Sequence, residues 1–343
     1  MMIKEVILKT YSTAAKQVEA KLCCGVDYRK EFTSEELDHL PDDVLDRNYG
    51  CGIPVGLKTL KLGQQVLDLG PGVGRDCFIA SRKVGPGGQV FGLDMNDNMI
   101  RQAECYKSQI VAHLGYDNVH FLKGQFDIEI PLANESIDVI LSNCVNNLAQ
   151  DKSRGYSEIF RVLKFGSQLS FSDIVSDRLL PEILQKNEKA WANCISGVLS
   201  FQDLYQMLKK AGFYGITSKT NYLWKSGMQI MEDYFHIHQL SEKHVKQLEQ
   251  VHLYSVAIEA FKPAIDVTEE CCWKGHRALF CGPGLVFQLD DDPKHLFRVG
   301  ELKEVCEKTA TILKLEPFRY QFTVFEPQGE VESRLCLPGG SCC

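Results

Sequence analysis

The sequence predicts an α/β protein in which a doubly wound, mostly parallel sheet is followed by a smaller α+β domain. Short apolar runs of strand length alternate with helical patterns between Gln65 and Ser172. Such alternation is typical of a parallel sheet with helices on both faces. A glycine-rich turn closes the first run, and the alternation weakens after Phe213, where shorter β-like runs broken by Gly, Pro and Asp begin.

Five strands define the predicted sheet. They are Val66–Leu69, Gln89–Asp94, Val119–Leu122, Ile137–Ser142 and Leu169–Ser172. Helical patterns follow the first two strands, and another precedes the fifth. Because ligands of open α/β sheets bind beyond the carboxyl ends of the strands, the residues at those ends are the first candidates for a site.

The chain divides into four predicted segments. They are an N-terminal helical cap (1–50), a cofactor-binding domain with a substrate-capping segment (51–222), an α+β domain (223–330) and a flexible cysteine-rich tail (331–343). Within the cap, Thr33–Glu36 has the composition of a helix start. Within the α+β domain, Ala278–Phe280 and Phe322–Phe325 are the clearest β-like runs.

Composition excludes several classes of partner. The 343 residues carry a net charge of −7 and no Lys/Arg-rich block, so neither nucleic acid nor an anionic membrane surface is expected to bind. No run approaches the roughly 18 apolar residues of a membrane span. Met1–Lys9 lacks the apolar core of a signal peptide. We therefore expect a cytoplasmic protein.

The first strand and its turn carry the pattern of a cofactor site. Gly70, Gly72 and Gly74 permit positive φ and a close approach of a ligand to the backbone. Asp94 lies 20 residues beyond Gly74, the spacing of a ribose-binding acid. Dinucleotide-binding proteins share these features. Asp68 discriminates, because a carboxylate there opposes a pyrophosphate and favours the cationic amino acid moiety of S-adenosylmethionine.

The run Val66–Gly74 resembles motif I of the class I methyltransferases, whose fold is Rossmann-like. This resemblance implies that Phe126 stacks on the adenine, that Asp127 forms a hydrogen bond with it, and that Met95 and Asn143 belong to the same cofactor site. Without the resemblance, Phe126 is a loop aromatic residue and Asp127 a surface acid.

Three of the fourteen cysteines occupy predicted loops at one edge of the sheet. Cys144 follows the fourth strand, Cys194 lies after the fifth, and Cys51 precedes the first. A single buried cysteine is usually a small hydrophobic residue, but three at one edge favour a thiophilic substrate or a catalytic thiol. Soft thiolates select a soft element. Gly50 and Gly52 predict a hinge that lets Cys51 swing toward Cys144.

These cysteines also carry a family resemblance. Tyr49–Gly52, Ser142–Val145 and Trp191–Gly197 are similar to the three cysteine signatures of arsenite methyltransferases. The ending Gly339–Cys343 is similar to the cysteine-rich tails of that family. The likeness extends over residues 20–220.

The resemblance implies an activity and a role for each thiol. Cys144 and Cys194 bind arsenic(III), Cys51 is their redox partner and completes the arsenic-binding set, and Cys23 or Cys24 matches a fourth family cysteine. The substrate is then arsenite or a methylated arsenical, and S-adenosylmethionine donates the methyl group. A small thiol or a thioredoxin-type protein is the implied reductant, and detoxification is the implied purpose.

Departures from the family pattern leave alternatives open. Asn193 stands where relatives often carry an acid, Ser196 replaces a glycine, and Tyr254–Glu326 is more similar to an uncharacterised bacterial branch. The alternatives are a methyltransferase for another soft nucleophile (a selenium or small thiol compound), a non-enzymatic metalloid-binding protein, and an oxygen or carbon methyltransferase with incidental cysteines. The cofactor pattern disfavours a sequestering protein, which needs no methyl donor.

Overall fold

The computed structural model describes residues 3–17, 22, 26–264, 272–289 and 295–327, together with the backbone of 334–335. Cys23, Cys24, Cys342 and Cys343 lie outside the described residues. The same holds for the rest of the predicted tail apart from the backbone of 334–335, which forms a short strand rather than part of a flexible tail.

The described chain contains helices, strands and three short 3-10 turns. The helices are α1 (Ile3–Lys16), α2 (Ser34–Leu37), α3 (Asp42–Asp46), α4 (Val55–Thr59), α5 (Arg75–Val84), α6 (Asp97–Leu114), α7 (Lys152–Val162), α8 (Glu182–Gln185), α9 (Glu188–Ala192), α10 (Phe201–Lys210), α11 (Gly227–Tyr234), α12 (Glu242–Glu249) and α13 (Glu307–Leu313). The strands are β1 (Gln65–Leu69), β2 (Gln89–Asp94), β3 (Val119–Lys123), β4 (Ile137–Asn143), β5 (Leu163–Ser176), β6 (Tyr214–Ser226), β7 (His252–Phe261), β8 (Cys272–Trp273), β9 (His276–Phe280), β10 (Val286–Gln288), β11 (Leu296–Arg298), β12 (Leu302–Val305), β13 (Phe322–Phe325) and β14 (Arg334–Leu335). No helix in the described part of the chain combines the length and apolar character that crossing a membrane requires.

The largest sheet confirms the predicted fold class. Its seven strands have the order β3-β2-β1-β4-β5-β7-β6. β1 pairs in parallel with both β2 and β4, and the pairs β2–β3 and β4–β5 are also parallel. The strand order reverses between β1 and β4, and open α/β sheets bind their ligands at such a switch point.

Burial explains the outcome for β1, β5 and β6. β1 is buried from Val66 to Leu69, so it is an uninterrupted apolar run except for Asp68. β6 was not predicted, because most of its residues are exposed and its sequence is polar. β5 is longer than the predicted Leu169–Ser172, since its first residues include exposed polar positions.

The chain forms two compact units. The first comprises Met1–Lys164, Gln168–Ala211 and Ile216–Ala260, and the second Phe165–Ser167, Gly212–Gly215 and Phe261–Cys343. This division differs from the predicted boundaries, because residues 1–50 and 223–260 both belong to the first unit. The reason is packing: Ile230, Met231 and Leu248 are buried in the same apolar cluster as Cys51 and Cys144.

The second unit has its own apolar core. It contains α13 and a three-stranded antiparallel sheet in the order β12-β9-β13. The strands β10 and β11 form a separate antiparallel pair. Phe322 is central, with ring centroids 5.1 Å from Phe280 and 5.0 Å from Phe297. The two β-like runs predicted in this region fall within β9 and β13.

Candidate active site

A pocket opens at the carboxyl ends of β1, β2 and β4, where open α/β sheets bind their ligands. It gathers nearly all the predicted cofactor residues. Its lining includes Asp68, Gly70, Gly72, Asp94, Met95, Phe126, Asp127, Asn143 and Cys144. Gly74 is not part of this lining. It has φ +91° and caps α5, and a Cβ atom there would lie 2.8 Å from the Phe78 ring.

The glycine turn leaves one stretch of backbone open to a ligand. Gly72 has φ +58°, and a Cβ atom added there would meet no other atom within 4 Å. The open space above Gly72 lies on the pocket side, since Gly72 lines the pocket. A ligand can therefore approach the backbone at this residue, as the sequence pattern predicts.

Asp68 is a buried carboxylate in the lining of the pocket. It is 2% exposed and accepts a hydrogen bond from the Cys77 thiol at 3.4 Å. Burial raises the pKa of Asp68 well above its usual range, and the nearby Asp76 carboxylate raises it further. An ammonium group in the pocket would offset this cost, because an opposite charge favours the ionised carboxylate.

Arg75 is a site residue that the sequence analysis missed. Its Nε donates a hydrogen bond to Asp76 at 3.1 Å, and its guanidinium carbon lies 3.7 Å from the centroid of the Tyr28 ring. Its Nη1 is buried, has no hydrogen-bond partner among the described residues, and belongs to a pocket-lining side chain. The only signal was a cation directly after Gly74. Arg75 and Asp68 together offer opposite charges to an amino acid zwitterion.

Asp94 occupies the position of the predicted ribose-binding acid. Its carboxylate accepts hydrogen bonds from the backbone N of Asn96 at 2.8 Å and of Gly72 at 3.2 Å. Burial raises the pKa of Asp94 to about 6, although the backbone N–H groups oppose the shift. The half-buried carboxylate retains lone pairs that a ribose diol can use.

The predicted adenine residues form another wall of the pocket. The Phe126 ring packs so closely on α7 that a Cβ atom at Gly155 would lie 2.6 Å from it. Asp127 Oδ2 accepts a hydrogen bond from the Gln150 backbone N at 2.8 Å. Asp127 Oδ1 and Gln125 Oε1 are buried without hydrogen-bond partners among the described residues. These two unpaired acceptors fit a donor such as the adenine amino group.

Gly50 and Gly52 serve close packing rather than a hinge. A Cβ atom at Gly50 would lie 2.4 Å from the Asn143 side chain, and one at Gly52 would lie 2.7 Å from Ser172 Oγ. Neither glycine has a positive φ. Cys51 therefore sits in a tight turn already placed near Cys144, so the swing expected from the sequence is unnecessary.

Two of the three candidate thiols meet in the structure. The Sγ atoms of Cys51 and Cys144 and a carboxylate oxygen of Asp173 all lie within 4.8 Å of one another. All three residues are buried, and all the candidate cysteines are in the thiol form. Asp173 was not indicated by the sequence, because one acid within a buried strand has no characteristic spacing.

Cys194 approaches this group from the capping segment. Its thiol donates a hydrogen bond to the Cys144 carbonyl at 3.2 Å and lies 3.6 Å from the Tyr11 hydroxyl. Its Sγ is not part of the set formed by Cys51, Cys144 and Asp173. The structure thus groups the Cys51 and Cys144 thiols with Asp173, while the Cys194 thiol contacts the backbone of Cys144.

Cys144 and Cys194 share a strained backbone conformation. Their φ angles are +63° and +60°, and the one other described non-glycine residue with positive φ is Glu135. Residues with a side chain adopt this left-handed region at a cost of roughly 1–2 kcal/mol. Such strain concentrates at functional sites, and here it falls on two of the three predicted arsenic ligands.

Lys152 adds a partly buried cation near Asp173 and the Cys194 thiol. Its Nζ donates a hydrogen bond to the Ala149 carbonyl at 2.8 Å. Burial lowers the pKa of Lys152 to about 8, while Asp173 and the Cys194 thiol favour its charged form. Burial raises the pKa of Asp173 to about 7, and Lys152 opposes that shift. Lys152 is an ordinary first residue of a helix, so no sequence pattern indicates it.

Local contacts explain two residues of the capping segment: Gly197, and Ser196, which departs from the family pattern. A Cβ atom at Gly197 would lie 2.0 Å from the Asn147 carbonyl oxygen, so this glycine is required. The Ser196 hydroxyl lies 2.7 Å from the Asn187 carbonyl oxygen and 2.8 Å from that of Leu184. The serine therefore ties the segment to the helices before it.

Comparisons with known proteins agree with this geometry. A methyltransferase domain family matches residues 60–212, and a domain of unknown function matches residues 267–338. Arsenite methyltransferases of Rattus norvegicus and Homo sapiens are 31% and 33% identical, over 90% and 86% of this chain and 79% and 75% of their own lengths. That of Aquipseudomonas alcaligenes is 30% identical over 90% of this chain and 86% of its own length. The chain belongs to the arsenite methyltransferase family.

A solved structure extends the likeness of this arsenite methyltransferase family member to three dimensions. It is an arsenic(III) S-adenosylmethionine methyltransferase from Chlamydomonas reinhardtii, with a TM-score of 0.61 and 26% identity, covering 87% of this chain and 98% of that chain. The predicted family, fold class and enzyme class are confirmed. The protein is a methyltransferase that uses S-adenosylmethionine.

Proposed function

We propose that this enzyme transfers the methyl group of S-adenosylmethionine to arsenic(III) held by the thiolates of Cys51, Cys144 and Cys194. The observation that supports this proposal most directly is the position of Cys144. It lines the cofactor pocket, and its Sγ lies within 4.8 Å of the Cys51 Sγ. A soft metalloid bound there lies next to the methyl donor, and thiolates prefer it to hard oxyanions.

The pocket supplies a partner for each part of the donor. Asp68 would hold the ammonium group, Arg75 the carboxylate, Asp94 the ribose diol, and Phe126 and Asp127 the adenine. Bound S-adenosylmethionine supplies an electrophilic methyl carbon on a sulfonium. The unpaired buried atoms of Arg75 and Asp127 are the observations that support this fit.

Methyl transfer requires alignment rather than proton transfer. Thiolate-bound arsenic(III) keeps a lone pair, so no residue has to remove a proton from the nucleophile. The chain contributes proximity, which can lower a barrier by several kcal/mol. The strained backbone at Cys144 and Cys194 fixes the direction of both side chains before the substrate arrives.

Cys51 is proposed to return the product to the trivalent state. After methyl transfer Cys51 leaves arsenic as a thiolate, and its attack on the Cys144 sulfur forms a disulfide and breaks the bond from that sulfur to arsenic. The bonding electron pair stays on arsenic, which is thereby reduced from the pentavalent to the trivalent state. An external small thiol or thioredoxin-type protein then reduces the disulfide, which suits a reducing cytoplasm.

Product analysis with arsenite tests the function. The full chain is incubated with S-adenosylmethionine, a thiol and arsenite, and the arsenicals are separated by chromatography with elemental mass detection. We expect methylated arsenic together with one S-adenosylhomocysteine for each methyl group transferred. Parallel reactions with selenite and a small thiol examine the alternative soft nucleophiles.

Cysteine variants connect the activity to the site. Cys144→Ser and Cys194→Ser are expected to abolish methylation, because each variant removes one of the three thiolates and the two that remain hold arsenic far less tightly. Cys105→Ser is the matched control, since Cys105 is an exposed thiol on α6. Full activity of Cys144→Ser, or methylation of selenite in place of arsenite, contradicts the proposed function.

A further inference from the structure

The group formed by Cys51, Cys144 and Asp173, called the thiol centre below, contains a carboxylate oxygen that is not among the proposed arsenic ligands. A carboxylate oxygen of Asp173 lies within 4.8 Å of the Sγ atoms of Cys51 and Cys144. Asp173 Oδ1 accepts hydrogen bonds from Asn147 Nδ2 at 2.7 Å and from the Ile174 backbone N at 2.8 Å. Asp173 Oδ2 is buried with no hydrogen-bond partner among the described residues. An unpaired buried oxygen of this kind calls for a ligand.

We propose that Cys51, Cys144 and Asp173 form a binding site for a divalent d10 cation of the zinc type. Two thiolates and a carboxylate are donors that zinc accepts. With Zn–S bonds of about 2.3 Å and Zn–O bonds of about 2.0–2.2 Å, the ligand atoms around a tetrahedral ion are roughly 3.3–3.8 Å apart. Side-chain adjustments of about 1 Å would bring the present atoms onto one ion, with the fourth position open to water.

Charge balance favours the same occupant. The ionised forms of Cys51, Cys144 and Asp173 place three negative charges in a buried space. The Lys152 ammonium, which interacts with Asp173, contributes one positive charge. Uncompensated buried charges are costly, and a divalent cation supplies the two positive charges that remain.

The cation and arsenic would compete for the centre. Both use Cys51 and Cys144, but the third ligand differs: the proposed arsenic site takes the Cys194 thiolate, whereas the cation takes the Asp173 carboxylate. Bound zinc would therefore inhibit methylation by occupying shared thiolates. Cation binding needs neither methyl donor nor arsenic, so this site can exist whether or not arsenic is the substrate.

Zinc titration of the full, reduced chain tests the site directly. Affinity for Zn²⁺ is measured by competition with a chromophoric chelator, in the absence of arsenic and S-adenosylmethionine. Because the chain has other cysteines, the reference is the Cys51→Ser/Cys144→Ser double variant. We expect the wild type to bind one more equivalent than this variant, and Co²⁺ in its place to give the absorption of a tetrahedral thiolate site.

Asp173→Asn is the decisive variant. Asparagine keeps the oxygen that Asn147 and Ile174 use, and it removes the anionic ligand. We expect the zinc affinity of the extra equivalent to fall about 10-fold or more, while arsenite affinity stays unchanged. Asp151→Asn is the matched control, because Asp151 caps α7 and asparagine caps a helix equally well.

Cys194→Ser completes the comparison and is expected to leave zinc affinity unchanged. Undiminished zinc affinity in Asp173→Asn, or a parallel loss of zinc and arsenite affinity, overturns the cation site. The first outcome makes the site a thiol-only cluster, and the second makes Asp173 a structural residue. A wild type that binds zinc through Asp173 but does not methylate arsenic keeps the cation site and removes only the proposed arsenic function.

Discussion

Asn143 fastens the Cys51 turn to the end of β4. Its Oδ1 accepts a hydrogen bond from the Cys51 backbone N at 3.0 Å, and its Nδ2 donates one to the Gly52 carbonyl at 2.9 Å. The two partners are 92 residues apart in sequence from Asn143 to Cys51. One amide side chain, next to Cys144 in the chain, therefore sets the distance between Cys51 and Cys144.

Asn143→Ala is expected to reduce arsenite methylation about 10-fold or more, because the Cys51 turn loses both hydrogen bonds. Each buried group left unpaired costs roughly 1–3 kcal/mol. The measurement is the steady-state rate with arsenite. Asn118→Ala is the control, since Asn118 is also buried and donates to the Gly85 carbonyl away from the site. Equal rate losses in the two variants would indicate general destabilisation instead.

Asp68→Asn is expected to weaken S-adenosylmethionine binding about tenfold or more, because a charged hydrogen bond is worth roughly 1.5–3 kcal/mol. Calorimetry measures the affinity. Asp138→Asn serves as the comparison: Asp138 is also on the central sheet, but it accepts hydrogen bonds from the Gln65 backbone N and Lys164 Nζ. Unchanged affinity in Asp68→Asn would show that Asp68 does not contact the donor.

Cys194→Gly is expected to be more stable than Cys194→Ala, by about 1 kcal/mol, because glycine adopts positive φ without steric cost. Urea unfolding of both variants measures the difference. The opposite order is expected at Cys77, a residue inside α5, where glycine disfavours the helix by roughly 1 kcal/mol. Greater stability of the alanine variant at both positions would mean that Cys194 carries no backbone strain.

Cys51→Ser separates the redox role from a simple three-thiol clamp. If Cys51 reduces the product through a disulfide, its loss should stop turnover of both arsenite and a monomethylated arsenical. If Cys51 is only a third ligand, the monomethylated arsenical, which offers two exchangeable positions, should still be methylated. Turnover of both substrates and mass mapping of disulfides after one wild-type turnover give the answer, and we expect a Cys51–Cys144 disulfide.

Asp94 gives the unfolding free energy a defined pH dependence. Because its pKa is raised to about 6 in the folded chain, the folded state binds more protons than the unfolded state between about pH 4 and 6. The Asp94 contribution to stability is therefore present at low pH and lost as pH rises through 6. We expect urea unfolding to show this fall, on the order of 3 kcal/mol, in the wild type relative to Asp94→Asn. A pH-independent difference between the two would refute the shift.

The cofactor half of the site was open to prediction because its residues follow one another along the chain. Gly70, Gly72 and Asp68 belong to one strand and its turn, and Asp94 ends the next parallel strand. The register of neighbouring strands then brings these ends together. Local sequence and the rules of parallel sheets were sufficient for this part.

The thiol half was only partly predictable. The sequence determined which cysteines stand at the edge of the sheet, but the meeting of Cys51 with Cys144 depends on the Asn143 hydrogen bonds, which join distant segments. The tertiary structure alone placed Asp173 beside these two thiols and Lys152 near Asp173. Sequence spacing encodes neighbours along one strand or helix, whereas burial and charge pairing are properties of the packed chain.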